Sequence, residues 1–192
     1  MEKMRAFIAI ELPAETRQAL TGLEAELKAA GGAPARWVDP VNIHLTLKFL
    51  GDIDSDATGR IMAALQTASG GTHPFTVAVS GLGVFPNPKR VQIIWVGLTG
   101  ELDKLNRLQK RIEEELVPLG FPAEGRAFTP HLTLARVRDY AGPDARQKLG
   151  QLIEKTGFEA KSQISVNAVH LIKSQLTREG PIYTKISTIE LK

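Results

Sequence analysis

The chain has 192 residues, 43% of them hydrophobic and 23% charged, with 24 Lys and Arg against 21 Asp and Glu for a net charge of +3. That is enough apolar material for one domain with a sizeable core. The mild basicity permits an anionic ligand but lacks the strong stripe of a duplex-binding protein. The chain has no cysteine, which excludes disulfides and thiolate metal sites and favours an intracellular setting. No stretch reads as a signal peptide or has the length of a membrane span. We therefore expect a cytoplasmic protein without a membrane partner.

In chain order, residues 6–12 (AFIAIEL) predict a buried strand. Pro13 ends it and opens a helix over 15–30, where Leu20, Leu23, Leu27 and Ala30 share one face. Gly31-Gly32 stops that helix, and WVDPVN is read as a loop leading into a strand, NIHLTLKFLG, closed by Gly51. A second amphipathic helix over 56–69 ends at Gly70-Gly71. Residues 75–85 form a strand with glycines that suggest a bulge, and PNPK is a turn. The order then begins again: a strand over 90–98, a highly charged helix over 101–116, a Pro/Gly loop, the strand TPHLTLARV, a helix over 144–156, a strand over 165–174, and a last strand over 183–191.

The tetrapeptide HLTL occurs at 44–47 and at 131–134, 87 residues apart, and FIAIEL and IIWVGL stand 86 apart. Two separate features share nearly one offset, which points to an internal duplication. We expect an α+β fold in one domain of two intertwined lobes, repeat 1 about 5–86 and repeat 2 about 90–192. The lobes would be related by a pseudo-two-fold axis, their antiparallel or mixed sheets flanked by helices around a central cleft.

In a strand, alternate side chains point to opposite faces. HLTL therefore puts both leucines in the core and projects His and Thr together. Two such strands facing each other make a groove with paired His44 and His131, and with paired Thr46 and Thr133. One imidazole can accept a proton while the other donates one, which is what breaking a P–O bond requires, and threonine hydroxyls can hydrogen-bond phosphoryl oxygens. Zinc needs three or four ligands; the nearby acids weighed are Asp52 and Asp54 and there is no H-E-x-x-H, so no metal or other cofactor is expected.

These motifs resemble the 2H phosphoesterases, and within them the RNA 2′,3′-cyclic phosphodiesterase (2′-5′ RNA ligase) family. The likeness runs through RAFIAIELP, WVDPVNIHLTLKFLGDI, RAFTPHLTLARV and KSQLTREGPIYTKI. The resemblance implies two α+β lobes around a cleft and metal-independent hydrolysis of RNA 2′,3′-cyclic ends to 2′-phosphomonoesters. It also implies reversible 2′-5′ joining, and RNA ends such as those of tRNA fragments as partners of a monomer. It makes His44 the proton donor and His131 the proton acceptor, with Thr46 and Thr133 on the phosphate. The pseudo-symmetry itself leaves the acid and base order open.

Three cations are further candidates for phosphate binding. Lys48 shares a face with His44 and Thr46 if the strand is regular. Arg136 has the parity of Leu132 and Leu134, so it needs a bulge to reach the site. Arg126 lies in the loop before His131. Phe7, Trp37, Phe49 and Phe128 either stack a nucleobase or pack the core; His73 reads as a loop residue, His170 as structural, and Tyr183 as packing a hairpin. Two other functions stay open: a non-catalytic RNA-end binding module, and a phosphodiesterase for small cyclic nucleotides or 2′-5′ oligonucleotides.

Overall fold

The structure is a computed structural model and describes residues 3–32, 34–178 and 180–192. Its elements in order are β1 (Lys3–Glu11), α1 (Ala14–Ala29), β2 (Ala35–Trp37), β3 (His44–Asp54), α2 (Thr58–Ser69), β4 (Phe75–Phe85), β5 (Ile93–Gly100), α3 (Leu102–Leu116), β6 (His131–Val137), α4 (Pro143–Lys155), β7 (Glu159–Val166), β8 (Ala168–Leu176) and β9 (Pro181–Glu190). They build two sheets, ordered β3-β1-β8-β9 and β2-β6-β5-β4-β7. Every ladder described is antiparallel.

The sheets exchange strands. β1 and β3 come from the first repeat, yet β4, which follows α2, pairs with β5 of the second. β8, late in the chain, pairs in return with β1. The exchange back occurs at Asn167, between β7 and β8, where the sequence predicts one continuous strand over 165–174. Apolar and β-branched residues run through the switch with no Gly or Pro to mark it, so local propensity carries no sign of the break. The chain turns there because the two halves of the run belong to different sheets, and Asn167 O accepts from Leu191 N at 2.8 Å.

One contiguous core joins both halves. Ile8 and Ile10 of β1, Leu45 and Leu47 of β3, Ile94 and Val96 of β5, and Leu132 and Leu134 of β6 all belong to it. Each such side chain contributes about 1.5–3 kcal/mol on burial. α3 buries Leu105, Leu108, Ile112 and Leu116 completely, on the spacing its sequence shows. The other face of the first sheet carries a small separate cluster of Phe7, Ala9 and Ile172 with Tyr183 against it. β2 is the second departure from the sequence reading, in which 37–42 is a loop. Three residues show no periodicity, and this strand exists through its pairing with β6, about a hundred residues later.

Candidate active site

β3 and β6 are not hydrogen-bonded to each other, but some of their Cα atoms lie within 8 Å. On both strands the leucines are buried and His and Thr are half-buried on the opposite face. His44 begins β3 one residue after a 3-10 turn over Pro40–Asn42, which Asp39 caps by accepting from Val41 N at 3.1 Å. The turn leaves Asn42 O at 2.8 Å from His44 Nδ1. On β6, Thr129 O lies at 2.7 Å from His131 Nδ1. A carbonyl only accepts, so in each neutral ring Nδ1 carries the hydrogen and Nε2 is left as the proton acceptor. The same two-residue reach back fixes both tautomers.

Aromatic rings hold the imidazoles. Phe7 stacks on His44 with centroids 4.5 Å apart, and Tyr183 meets it edge-on at 5.2 Å. Phe85 meets His131 edge-on at 5.1 Å, with Trp95 at 6.1 Å. The Trp95 ring lies over Gly83, where a Cβ would collide with it, so glycine on β4 makes room for this wall. Sequence reasoning treats Phe7 as core or base-stacking and Tyr183 as hairpin packing, and it does not single out Phe85 or Trp95. Their proximity to the histidines comes from cross-strand register, which a single segment does not display. Burial lowers the pKa of His44 below its ordinary 6.5, against the pull of the Asn42 carbonyl. Burial also raises the Tyr183 hydroxyl above 10.0, while the Arg136 and Arg5 charges oppose that rise. Arg136 belongs to β6 and Tyr183 to β9, one strand from each sheet.

The cations do not all follow the sequence reading. In the β1–β3 ladder Ile8 pairs with Lys48 and Ala9 with Thr46, so Leu47 is the extra residue of a bulge. Lys48 is thereby turned to the core side, 3% exposed, and donates to Glu113 Oε2 at 2.9 Å and to Pro122 O at 2.6 Å. The regular parity expected for Lys48 is corrected: it holds α3 and the loop before β6, and Phe49 emerges on the His44 face instead. β6 has the equivalent bulge. Ile94 pairs with Ala135 and Trp95 with Thr133, leaving Leu134 extra. This is the irregularity Arg136 requires, and it puts Arg136, exposed, on the face of His131 and Thr133.

Arg126 lies elsewhere. It lines a cavity of about 310 Å³ with Gln109, Glu113, Glu124 and Phe128, beside α3 on the side to which Lys48 points. The residues it is placed with are those of α3 and of its own loop. Trp37 packs on the core side, its Nε1 donating to Gly32 O at 3.1 Å. Phe128 packs at the core edge and His73 is exposed in a loop. His170 is 8% exposed and lies 3.8 Å from Glu11 Oε2. Among the described residues no three His, Asp or Glu side chains gather as a metal would need, and no helix is long and apolar enough to cross a membrane.

Two antiparallel sheets each carry a His-x-Thr pair, on β3 and on β6, strands whose Cα atoms come within 8 Å of each other. Residues 10–95 and 96–183 each match the family model described as LigT-like phosphoesterase. The chain is 36% identical to the RNA 2′,3′-cyclic phosphodiesterase of Methanothermobacter thermautotrophicus, over 98% of this chain and 100% of that one. It is 33% identical to the protein of the same name from Aquifex aeolicus, over 100% and 99%. A crystal structure of a Thermus thermophilus protein superposes with TM-score 0.79 at 27% identity, over 98% of each chain. Escherichia coli LigT complexed with 3′-AMP shares the fold, with TM-score 0.75 at 24% identity, over 100% of this chain and 99% of that one. The chain belongs to the LigT-like phosphoesterases of the 2H superfamily.

Proposed function

We propose that this phosphoesterase opens RNA 2′,3′-cyclic phosphodiester ends to 2′-phosphomonoesters. The observation that carries the reading is the pair of imidazoles with identically fixed tautomers, each two residues from a threonine and presented from a different sheet. His131 Nε2 takes the proton of an attacking water. His44, protonated, gives a proton to the 3′ oxygen as its bond to phosphorus breaks, and the 2′ ester remains. Thr46, Thr133 and Arg136 hold the non-bridging oxygens, where Arg136 can make a bidentate contact. Burial lowers the pKa of His44 in the free protein, which works against a proton donor; a bound phosphodiester anion beside Nε2 works the other way.

The same bond-breaking accounts for joining. If a 5′ hydroxyl of RNA attacks instead of water, the 3′ oxygen leaves again and the product is a 2′-5′ linkage. The relatives named RNA 2′,3′-cyclic phosphodiesterase support the RNA reading. The test is phosphorus NMR of a short RNA carrying a 2′,3′-cyclic end, incubated with the protein and a chelator. The expected product is the 2′-phosphate alone. A 3′-phosphate overturns the assignment of the leaving oxygen, and binding without turnover overturns the catalytic reading.

A further inference from the structure

Arg36 on β2 stands directly opposite Arg136 on β6 in the antiparallel register. Directly paired residues share a face of the sheet. Their neighbours agree: Ala35, Trp37, Ala135 and Val137 pack toward the core, while both arginines are exposed. Arg36 therefore emerges on the face that carries His131 and Thr133, one strand outward from Arg136, with strands about 4.8 Å apart. Like charges directly opposite weaken a ladder, and this one is only three residues long at a sheet edge. Neither arginine has an ion-pair partner among the described residues. The nearest acids in sequence are Asp39 for Arg36, which spends Oδ1 on Val41 N, and Asp139 for Arg136, and neither forms an ion pair with these arginines. Two unneutralised guanidiniums side by side, in line with the row that grips the reacting phosphate, are suited to a ligand with more than one phosphate.

We propose that Arg36 is a second anion subsite, which takes the phosphodiester on the 5′ side of the terminal nucleotide. The preferred substrate is then an oligonucleotide end rather than a free nucleoside cyclic phosphate. This inference rests on the RNA-end reading above. The test compares two dinucleotides, both ending in a 2′,3′-cyclic phosphate. One has an ordinary internal phosphodiester and the other a neutral methylphosphonate at that linkage.

In the native protein the charged dinucleotide should have kcat/KM about tenfold higher, mainly through KM. Arg36→Gln, shown to be folded by its melting temperature, should abolish that ratio, and Arg36→Lys should restore part of it. Added salt should erode the advantage of the charged linkage in the native protein and leave Arg36→Gln less sensitive. A native protein that does not distinguish the two linkages overturns the subsite. So does an Arg36→Gln protein that keeps the native ratio. If the native protein turns over neither dinucleotide, the RNA-end reading itself fails and the subsite falls with it.

Discussion

β3 and β6 carry the same tetrapeptide, the same clamp on Nδ1 and the same bulge after the threonine, yet their surroundings differ. The residue the bulge turns inward is Lys48 on β3 and Ala135 on β6; the one it turns outward is Phe49 on β3 and Arg136 on β6. β3 is the edge of its sheet, whereas β6 is covered by β2 and its Arg36. The histidine pair is thus symmetric in strand, tautomer and bulge, and asymmetric in the residues that flank it. One side of the cleft is aromatic, with Phe7, Phe49 and Tyr183 in contact. The His131 side has its own rings, Phe85 and Trp95, and differs in carrying Arg136 with Arg36 opposite it. On the proposed mechanism, duplication supplies the two imidazoles and divergence just beyond the bulge distinguishes them.

The largest test of that comparison replaces each histidine. His44→Ala and His131→Ala should each lower cyclic-phosphate turnover about 10²–10⁴-fold while leaving the fold intact, because both side chains are only half-buried. A nucleotide phosphodiester with nitrophenol as leaving group needs no proton donor. On that substrate His44→Ala should recover most of its rate and His131→Ala should not; the opposite pattern exchanges the two roles. Full rates for both variants on the cyclic end would sink the two-histidine mechanism.

The inward positions are tested through stability. Lys48→Met leaves Glu113 buried without its partner, and Glu113 also accepts from Gln109 Nε2 at 3.2 Å and from Glu124 N at 3.1 Å. The expected loss is about 3–5 kcal/mol in denaturant unfolding, although β6 needs no cation at the matching Ala135. A compensating Glu113→Gln should return much of that stability in the Lys48→Met background. If the single change costs nothing, the ion pair is not what ties α3 to β3.

These strands also show how much the sequence reveals. Period-two alternation places His44, Thr46, His131 and Thr133 on one face and the leucines on the other, because HLTL is short and regular. Alternation then fails at the bulges. It puts Lys48 on the His44 face and takes Arg136 off the His131 face, and the structure reverses both placements. A bulge is a property of a ladder, fixed by how β1 and β5 pair, and HLTLKF alone does not contain that information. The strand exchange at Asn167, the three residues of β2 and the rings around the histidines share this character: each depends on a partner distant in the chain. The helices are legible because their apolar faces recur every three to four residues within one segment, as in α3.

A smaller expected effect separates the two threonines. Thr46→Val and Thr133→Val each remove a hydroxyl proposed to hold the anionic phosphate. A hydrogen bond to a charged group is worth about 1.5–3 kcal/mol, so each change should lower kcat/KM by roughly 10- to 100-fold. Because Arg136 stands on the side of Thr133, its charge should cushion Thr133→Val, and Thr46→Val should cost more. Equal losses would mean that Arg136 does not share the phosphate with Thr133.

The smallest effect concerns the aromatic socket. Burial against Phe7 and Tyr183 keeps the pKa of His44 below 6.5, and His170 is lowered too, by burial against the raising influence of Glu11. In the unfolded chain both return to about 6.5. As pH falls through that value the unfolded state binds more protons than the folded one, so stability is full above it and declines below it. His44→Gln should flatten that decline between neutral and mildly acidic pH, leaving the part due to His170. Phe7→Ala should admit water to the ring and move the His44 titration, followed by proton NMR, upward toward 6.5. Inorganic phosphate should move it upward as well, since an anion at Nε2 favours the imidazolium. A His44 resonance that ignores both Phe7→Ala and phosphate would mean that neither the socket nor the cleft anion governs its charge.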